Sequence, residues 1–171
     1  MKKRLYFDTS AVIKEFVSEV GSDLVDKVTT SAREGRLQII TSVWAINESI
    51  AVIDRLTRRP KDPLSSTEQQ EIIATFVERI RASSEHSAYR FAPIEHVLVA
   101  NWRALIDGVH ISADDALHLY TGYIHDCDYF LLHDNKIVRR LKAVPIEGMQ
   151  IIDLGDEKDR QYLASEFGWK V

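Results

Sequence analysis

Short apolar runs, all but the last followed by a segment with helical spacing, recur along this chain and restrict the folds open to it. Leu5–Phe7, Leu37–Thr41, Tyr89–Ala92, Tyr129–Leu132 and Gln150–Asp153 read as strands. Helices are expected over Thr9–Val17, Ser22–Arg33, from Ser42 to about Arg58, from Ser65 to about Ser83, over Ile94–Ile106, from Ser112 to about His125, and over Asn135–Lys142. Gly21 breaks the first of these, and Gly35 stands where a helix C-terminal cap belongs. Ser65 with Glu68 forms a capping box, and Arg59–Leu64, with Pro60 and Pro63, is a connector. Strands alternating with helices imply an α/β fold: a mostly parallel central sheet of four to five strands, flanked by helices. One domain is expected over residues 1–154. Residues 155–171 form a charged tail that the pattern does not place, whether or not it packs on that domain.

Four carboxylates punctuate this pattern: Asp8, Glu48, Asp115 and Asp134. Asp8 directly follows the first strand. Asp134 follows Tyr129–Leu132, with His133 between. Glu48 falls in the second turn of the helix after Leu37–Thr41, and Asp115 in the first turn of its own helix. In a parallel sheet, strand C-terminal ends and helix N-termini share one edge, where ligands bind. Four acids gathered there repel one another unless a divalent cation sits among them. Each acid also has a plainer role. Asp8 and Asp134 suit helix N-caps, and Asp115 suits a capping box with Ser112. Glu48 is harder to explain in that way, because its helical neighbours at four residues' distance are Trp44 and Val52, and a half-buried carboxylate needs partners. By helical phase Asp115 shares a face with Leu119 and Gly122. Asp114 instead begins a polar stripe with His118, Thr121 and His125 that is expected to face solvent.

Composition narrows the class. A 171-residue chain suits one domain, and 45% hydrophobic residues suffice for a core. The net charge of −4 gives no global attraction for nucleic acid, so such contact needs local basic patches. Cys127 is the only cysteine, which excludes an intrachain disulfide and fits a reducing cytoplasm. No apolar run reaches membrane-spanning length, and Asp8, Lys14 and Glu15 interrupt any signal-like segment. The histidines form no zinc signature, and no glycine-rich phosphate loop is present.

With the acids placed, the chain resembles the PIN-domain family of metal-dependent ribonucleases, and most of all the VapC-type toxins of toxin–antitoxin pairs. Leu5-Tyr6-Phe7-Asp8-Thr9-Ser10-Ala11-Val12 is similar to the family's opening motif, and Ser42 through Glu48 to its second. Ala113-Asp114-Asp115-Ala116-Leu117-His118-Leu119 resembles the third, and Leu131-Leu132-His133-Asp134-Asn135-Lys136 the fourth. His133 departs from the Thr or Ser that the family often carries near that Asp. The resemblance spans roughly Leu5 to Asp153 and implies a three-layer PIN-like fold. It also implies RNA as substrate, an antitoxin partner and a homodimer.

Oxygen-only ligands suit Mg²⁺ or Mn²⁺, and hydrolysis of a phosphodiester is the matching reaction. Asp8 and Asp115 are expected as central ligands. Glu48 and Asp134 would reach the ion through water or activate that water, with Ser10, Thr9 and Asn135 in support. Candidate RNA contacts form two clusters: Arg55, Arg58, Arg59 and Lys61, then Lys136, Arg139, Arg140 and Lys142. Both also fit solvated helix ends. Trp44, Trp102 and Trp169 can stack on bases, although core packing suits the first two better. Other readings are a DNA-directed or RNA-processing nuclease of the same fold and a catalytically silent scaffold. A receiver-type signalling module would need a second acid beside Asp8, and Thr9 stands there instead.

Overall fold

The computed structural model describes residues 2–58, 65–85, 89–94, 108, 110–143 and 146–170. Five strands run through it: β1 (Lys3–Phe7), β2 (Leu37–Ser42), β3 (Tyr89–Ala92), β4 (Tyr129–Leu132) and β5 (Gln150–Asp153). All pairings are parallel, in the order β3-β2-β1-β4-β5. The described helices are α1 (Thr9–Ile13), α2 (Ser22–Arg33), α3 (Val43–Thr57) and α4 (Ser66–Glu85), then α5 (Ala113–Ile124), α6 (Asn135–Ala143) and α7 (Glu157–Glu166). This is the α/β architecture, a parallel five-stranded sheet flanked by helices, that the sequence pattern implies. The expected connector Arg59–Leu64 lies outside the described residues, as does nearly all of the expected helix Ile94–Ile106.

Strand alternation divides the core into two layers. Leu5 and Phe7, Ile39, Tyr129 and Leu131 point to one face, where they meet Val12, Val25, Val28, Ile53 and Phe76. Tyr6, Ile40, Phe130 and Leu132 point to the other, against Ala116, Leu119, Val138 and Leu141. Both faces of the sheet are therefore covered, which is why its strands read as continuous apolar runs rather than alternating ones.

Caps set the helix starts. Ser42 Oγ accepts the Ala45 N–H (3.0 Å) to begin α3, and Ser112 Oγ accepts the Asp115 N–H (3.2 Å) to begin α5. The Ser65–Glu68 capping box forms in both directions, at 2.8 and 3.3 Å. Gly35 takes φ 74° just beyond α2. Gly21 takes φ 89°, and a β-carbon there would lie 2.6 Å from the Leu154 carbonyl oxygen. That approach, not helix breaking alone, demands glycine.

One expectation needs correction. The first helix stops at Ile13 rather than Val17. The chain goes on in tighter turns, with Glu15 N–H bonded to the Val12 carbonyl and Phe16 N–H to the Ile13 carbonyl. There the buried Lys14 ammonium reaches Glu19 (2.7 Å) and the Phe16 ring packs on Phe76. The tail, which the sequence pattern leaves unplaced, carries α7. Asp156 caps α7 by accepting the Lys158 and Asp159 N–H groups, and Leu163 and Ala164 are buried in the first core layer. Phe167 and Trp169 stack on each other and pack against that layer. Only two buried residues in a charged helix leave little periodicity for the sequence to display.

Candidate active site

The strand order places a topological switch between β1 and β4. From β1 the chain builds outward through β2 to β3, and β4 then returns to the other side of β1. A crevice opens at the C-terminal ends of such neighbours. Phe7 pairs in register with Leu131, and the Asp8 N–H bonds to the Leu131 carbonyl (3.2 Å). Ser10 stitches the two strand ends together: its hydroxyl donates to Asp8 Oδ1 (2.7 Å) and accepts the His133 N–H (2.7 Å).

A cleft of about 870 Å³ lies on this edge. Asp8, Glu48, Asp115 and Asp134 all line it, with Thr9, Ser10, Arg55, His118 and His133. Asp114 is exposed and lies outside that lining. Each acid has a local anchor. Asp8 Oδ1 caps α1 through the Ala11 N–H (2.9 Å). Asp115 accepts the Ser112 hydroxyl in a capping box. Asp134 Oδ1 accepts the N–H groups of Lys136 (2.7 Å) and Ile137 (3.1 Å), capping α6. The plain capping roles therefore coexist with a shared cleft.

Glu48 differs. No cap explains it. Its Oε2 accepts the Thr9 hydroxyl from α1 and lies 2.7 Å from His118 Nε2 on α5. The other ring nitrogen, Nδ1, is 2.8 Å from the Tyr6 hydroxyl. His118 is thus no member of a solvent-facing stripe: it is 4% exposed, and Thr121 1%. Helical phase misled here because α5 is enclosed on more than one side. The available signal was its spacing three residues from Asp115, which makes the two side chains neighbours on the helix surface.

Burial dominates the electrostatics of Asp8 and Asp115, and attraction to His118 exceeds the repulsion from neighbouring acids. Burial pushes the Asp8 carboxyl up to about 6; bonds from Ser10 and Ala11 oppose this, and the Asp115 charge adds to it. Burial also raises Asp115 above the ordinary carboxylate range, against its Ser112 bonds and with a push from Asp134. Glu48 goes the other way. Burial would raise it, but the bonds from His118 and Thr9 outweigh that and hold it below its usual value. Among the described residues, no lysine or arginine ion-pairs with any of the four. An all-oxygen donor set gathered in one cleft fits a hard divalent cation. With the side chains turned to their caps, no three His, Cys, Asp or Glu groups among the described residues converge on one ligating point.

The basic candidates divide. Arg55, one face along α3 from Glu48, lines the cleft. Lys136 is exposed at the start of α6, and Asn135 beside it is exposed as well. Arg139 bonds the Asn135 carbonyl (3.1 Å), Arg140 bonds the His110 carbonyl, and Lys142 pairs with Asp159 (2.7 Å). Arg58 pairs with Asp54 (2.9 Å), while Arg59, Lys61 and Trp102 lie outside the described residues. Trp44 is half-buried. Trp169 is half-buried, stacked on Phe167 and packed against the core. Cys127 is buried, and burial pushes its thiol up to about 12, so it is no nucleophile.

No family model matches the chain, and no curated protein matches its sequence. Among solved structures it is similar to that of FitAB bound to an IR36 DNA fragment, with a TM-score of 0.63 at 12% sequence identity. The match covers 89% of this chain and 96% of the other, so the likeness extends over the whole fold. Among the described residues, no helix is long and apolar enough to cross a membrane.

Proposed function

We propose that this protein is a Mg²⁺- or Mn²⁺-dependent endoribonuclease that hydrolyses RNA phosphodiester bonds. We further propose that it acts as the VapC-type toxin of a type II toxin–antitoxin pair. One observation carries the reading: Asp8, Glu48, Asp115 and Asp134 line a single cleft at the C-terminal edge of a PIN-like sheet. Bound there, a divalent ion would offset the mutual repulsion of the acids and activate water for in-line attack on a phosphate. The chain's own residues would do the rest. Asp8 and Asp115 supply the central oxygen donors, each oriented by a hydroxyl of its own helix start. Glu48, held ionised by His118 and Thr9, orients the attacking water and accepts its proton at a carboxylate oxygen. Asp134 supports from the end of β4, with Asn135 beside it. Arg55 and Lys136 draw the RNA backbone to the rim.

The toxin assignment rests on the four motifs together with the fold. It implies an antitoxin chain that covers the groove beside the cleft, a homodimer, and action in the cytoplasm. The FitAB structure holds DNA, which motivates a second arm for the assay. Wild type and Asp8→Asn are incubated with RNA and with single-stranded DNA, each with Mn²⁺. Cleavage of RNA by wild type alone supports the proposal. Cleavage of DNA alone moves the substrate class, and equal activity in both preparations contradicts the assignment.

A further inference from the structure

His118 is a chemically versatile side chain at the cleft that the acid motifs leave without a role. It sits on α5, yet its two ring nitrogens bond to residues from other elements. Nδ1 faces two hydroxyls, Tyr6 at 2.8 Å from β1 and Ser42 at 3.4 Å from β2. Ser42 Oγ already accepts the Ala45 N–H, which leaves its hydroxyl proton free to point at the ring. Tyr6 is fully buried, and its ring is fixed by parallel stacking on Phe130, with centroids 5.1 Å apart. Ionised Glu48 can only accept, so in the neutral ring the proton lies on Nε2 and Nδ1 is left to accept from the Tyr6 hydroxyl. Nε2 then donates to Glu48 Oε2 at 2.7 Å, the same oxygen that takes the Thr9 hydroxyl. Both bonds fall on Oε2, and Oε1 takes neither.

We infer that His118 is a positioning residue for Glu48, held in its Nε2–H form between Glu48 and the Tyr6 hydroxyl, so that Oε1 is presented to the cleft. The inference rests on the proposed nuclease reading for its consequence, but not for its geometry. A glutamate on a helix flank samples several rotamers, and the clamp from α5 and α1 removes that freedom before any ligand arrives. A merely structural buried histidine would need two satisfied nitrogens. It would not need its donor aimed at the single site acid that no helix cap explains.

The test uses full-length protein and four forms: wild type, Tyr6→Phe, His118→Leu and His118→Gln. Nitrogen-15 spectra of the metal-free wild type should show His118 protonated on Nε2 and bare on Nδ1. Tyr6→Phe should shift that balance toward Nδ1–H. Mn²⁺ calorimetry should show an affinity loss of about 10–100-fold in His118→Leu, the usual range when a ligand's orienting partner is removed. RNA cleavage should fall in kcat with little change in KM. Glutamine carries an amide donor at the ε position, so His118→Gln should recover most of both losses. A folded His118→Leu with wild-type Mn²⁺ affinity and kcat overturns the inference, as does an Nδ1–H tautomer in the wild type. If the wild type binds no Mn²⁺, the nuclease reading fails by itself; the tautomer then upholds or overturns the chain from Tyr6 to Glu48 separately.

Discussion

Asp8→Asn should make the metal-free protein more stable near neutral pH while removing its activity. The substitution keeps the local architecture. Asparagine is as good an N-cap as aspartate, and its Oδ1 can still accept the Ala11 N–H and the Ser10 hydroxyl that now bond Asp8. What it removes is a carboxylate whose burial pushes it from an ordinary 3.8 to about 6. Over that interval, at ~1.4 kcal/mol per pH unit, the charge costs the folded state about 3 kcal/mol at most. Local relaxation and water entry reduce the figure, so about 1–3 kcal/mol is expected. For a chain of this size that is a rise in Tm of roughly 2–12 °C. The sign follows from linkage. The native state holds the Asp8 proton more tightly than the unfolded chain does, so wild type loses stability relative to the variant as pH rises from about 4 to 6. The gap should be near zero at pH 4 and complete by pH 7. Calorimetric melts of both proteins at pH 4, 5, 6 and 7, without divalent ions, measure it. A variant less stable than wild type at pH 7, or a gap that does not change with pH, would refute the claim that buried charge is stored at this position.

Other substitutions separate the scaffold from the site. Leu163→Ala removes a fully buried side chain of α7; denaturant unfolding should show a loss of about 2–5 kcal/mol, whereas a surface tail would lose almost nothing. Gly21→Ala meets both a positive φ and the Leu154 carbonyl, and should cost more than about 1 kcal/mol by the same measurement. Arg55→Ala should weaken RNA binding at the cleft uniformly across sequences and reduce the salt dependence of binding by about one phosphate contact. Fluorescence anisotropy with labelled RNA over a salt series reads both effects, and an unchanged slope removes Arg55 from the interface.

The fold was legible because its signals are local and agree with one another. Four of the five strands begin and end within a residue of the apolar runs that announce them, and Ser42, Ser65 and Ser112 mark helix starts through hydroxyls that bond as their positions imply. The acids were legible for a related reason: a parallel sheet gives every strand end and helix start the same edge, so position alone gathers them. What stayed hidden depends on distant contacts. The role of His118 needs Tyr6 and Glu48, 112 and 70 residues away in sequence. A single helix read by period makes it a surface residue, because its burial comes from β1, β2 and α3. The α7 helix was hidden by a charged composition whose few apolar residues dock on a layer built by the rest of the chain. The shortened first helix is likewise tertiary, since Glu15 and Phe16 take partners on α2 and α4.

The central claim is that the four acids form one divalent-cation site. The most direct measurement is a crystal structure of the protein grown or soaked with Mn²⁺, read by its anomalous signal. The expected result is an ion in the cleft, shared by Asp8 and Asp115, with Glu48 and Asp134 within reach of it or of its waters. Anomalous density elsewhere, or none in the cleft at saturating Mn²⁺ with Asp8 and Asp115 still turned to Ser10 and Ser112, would contradict it.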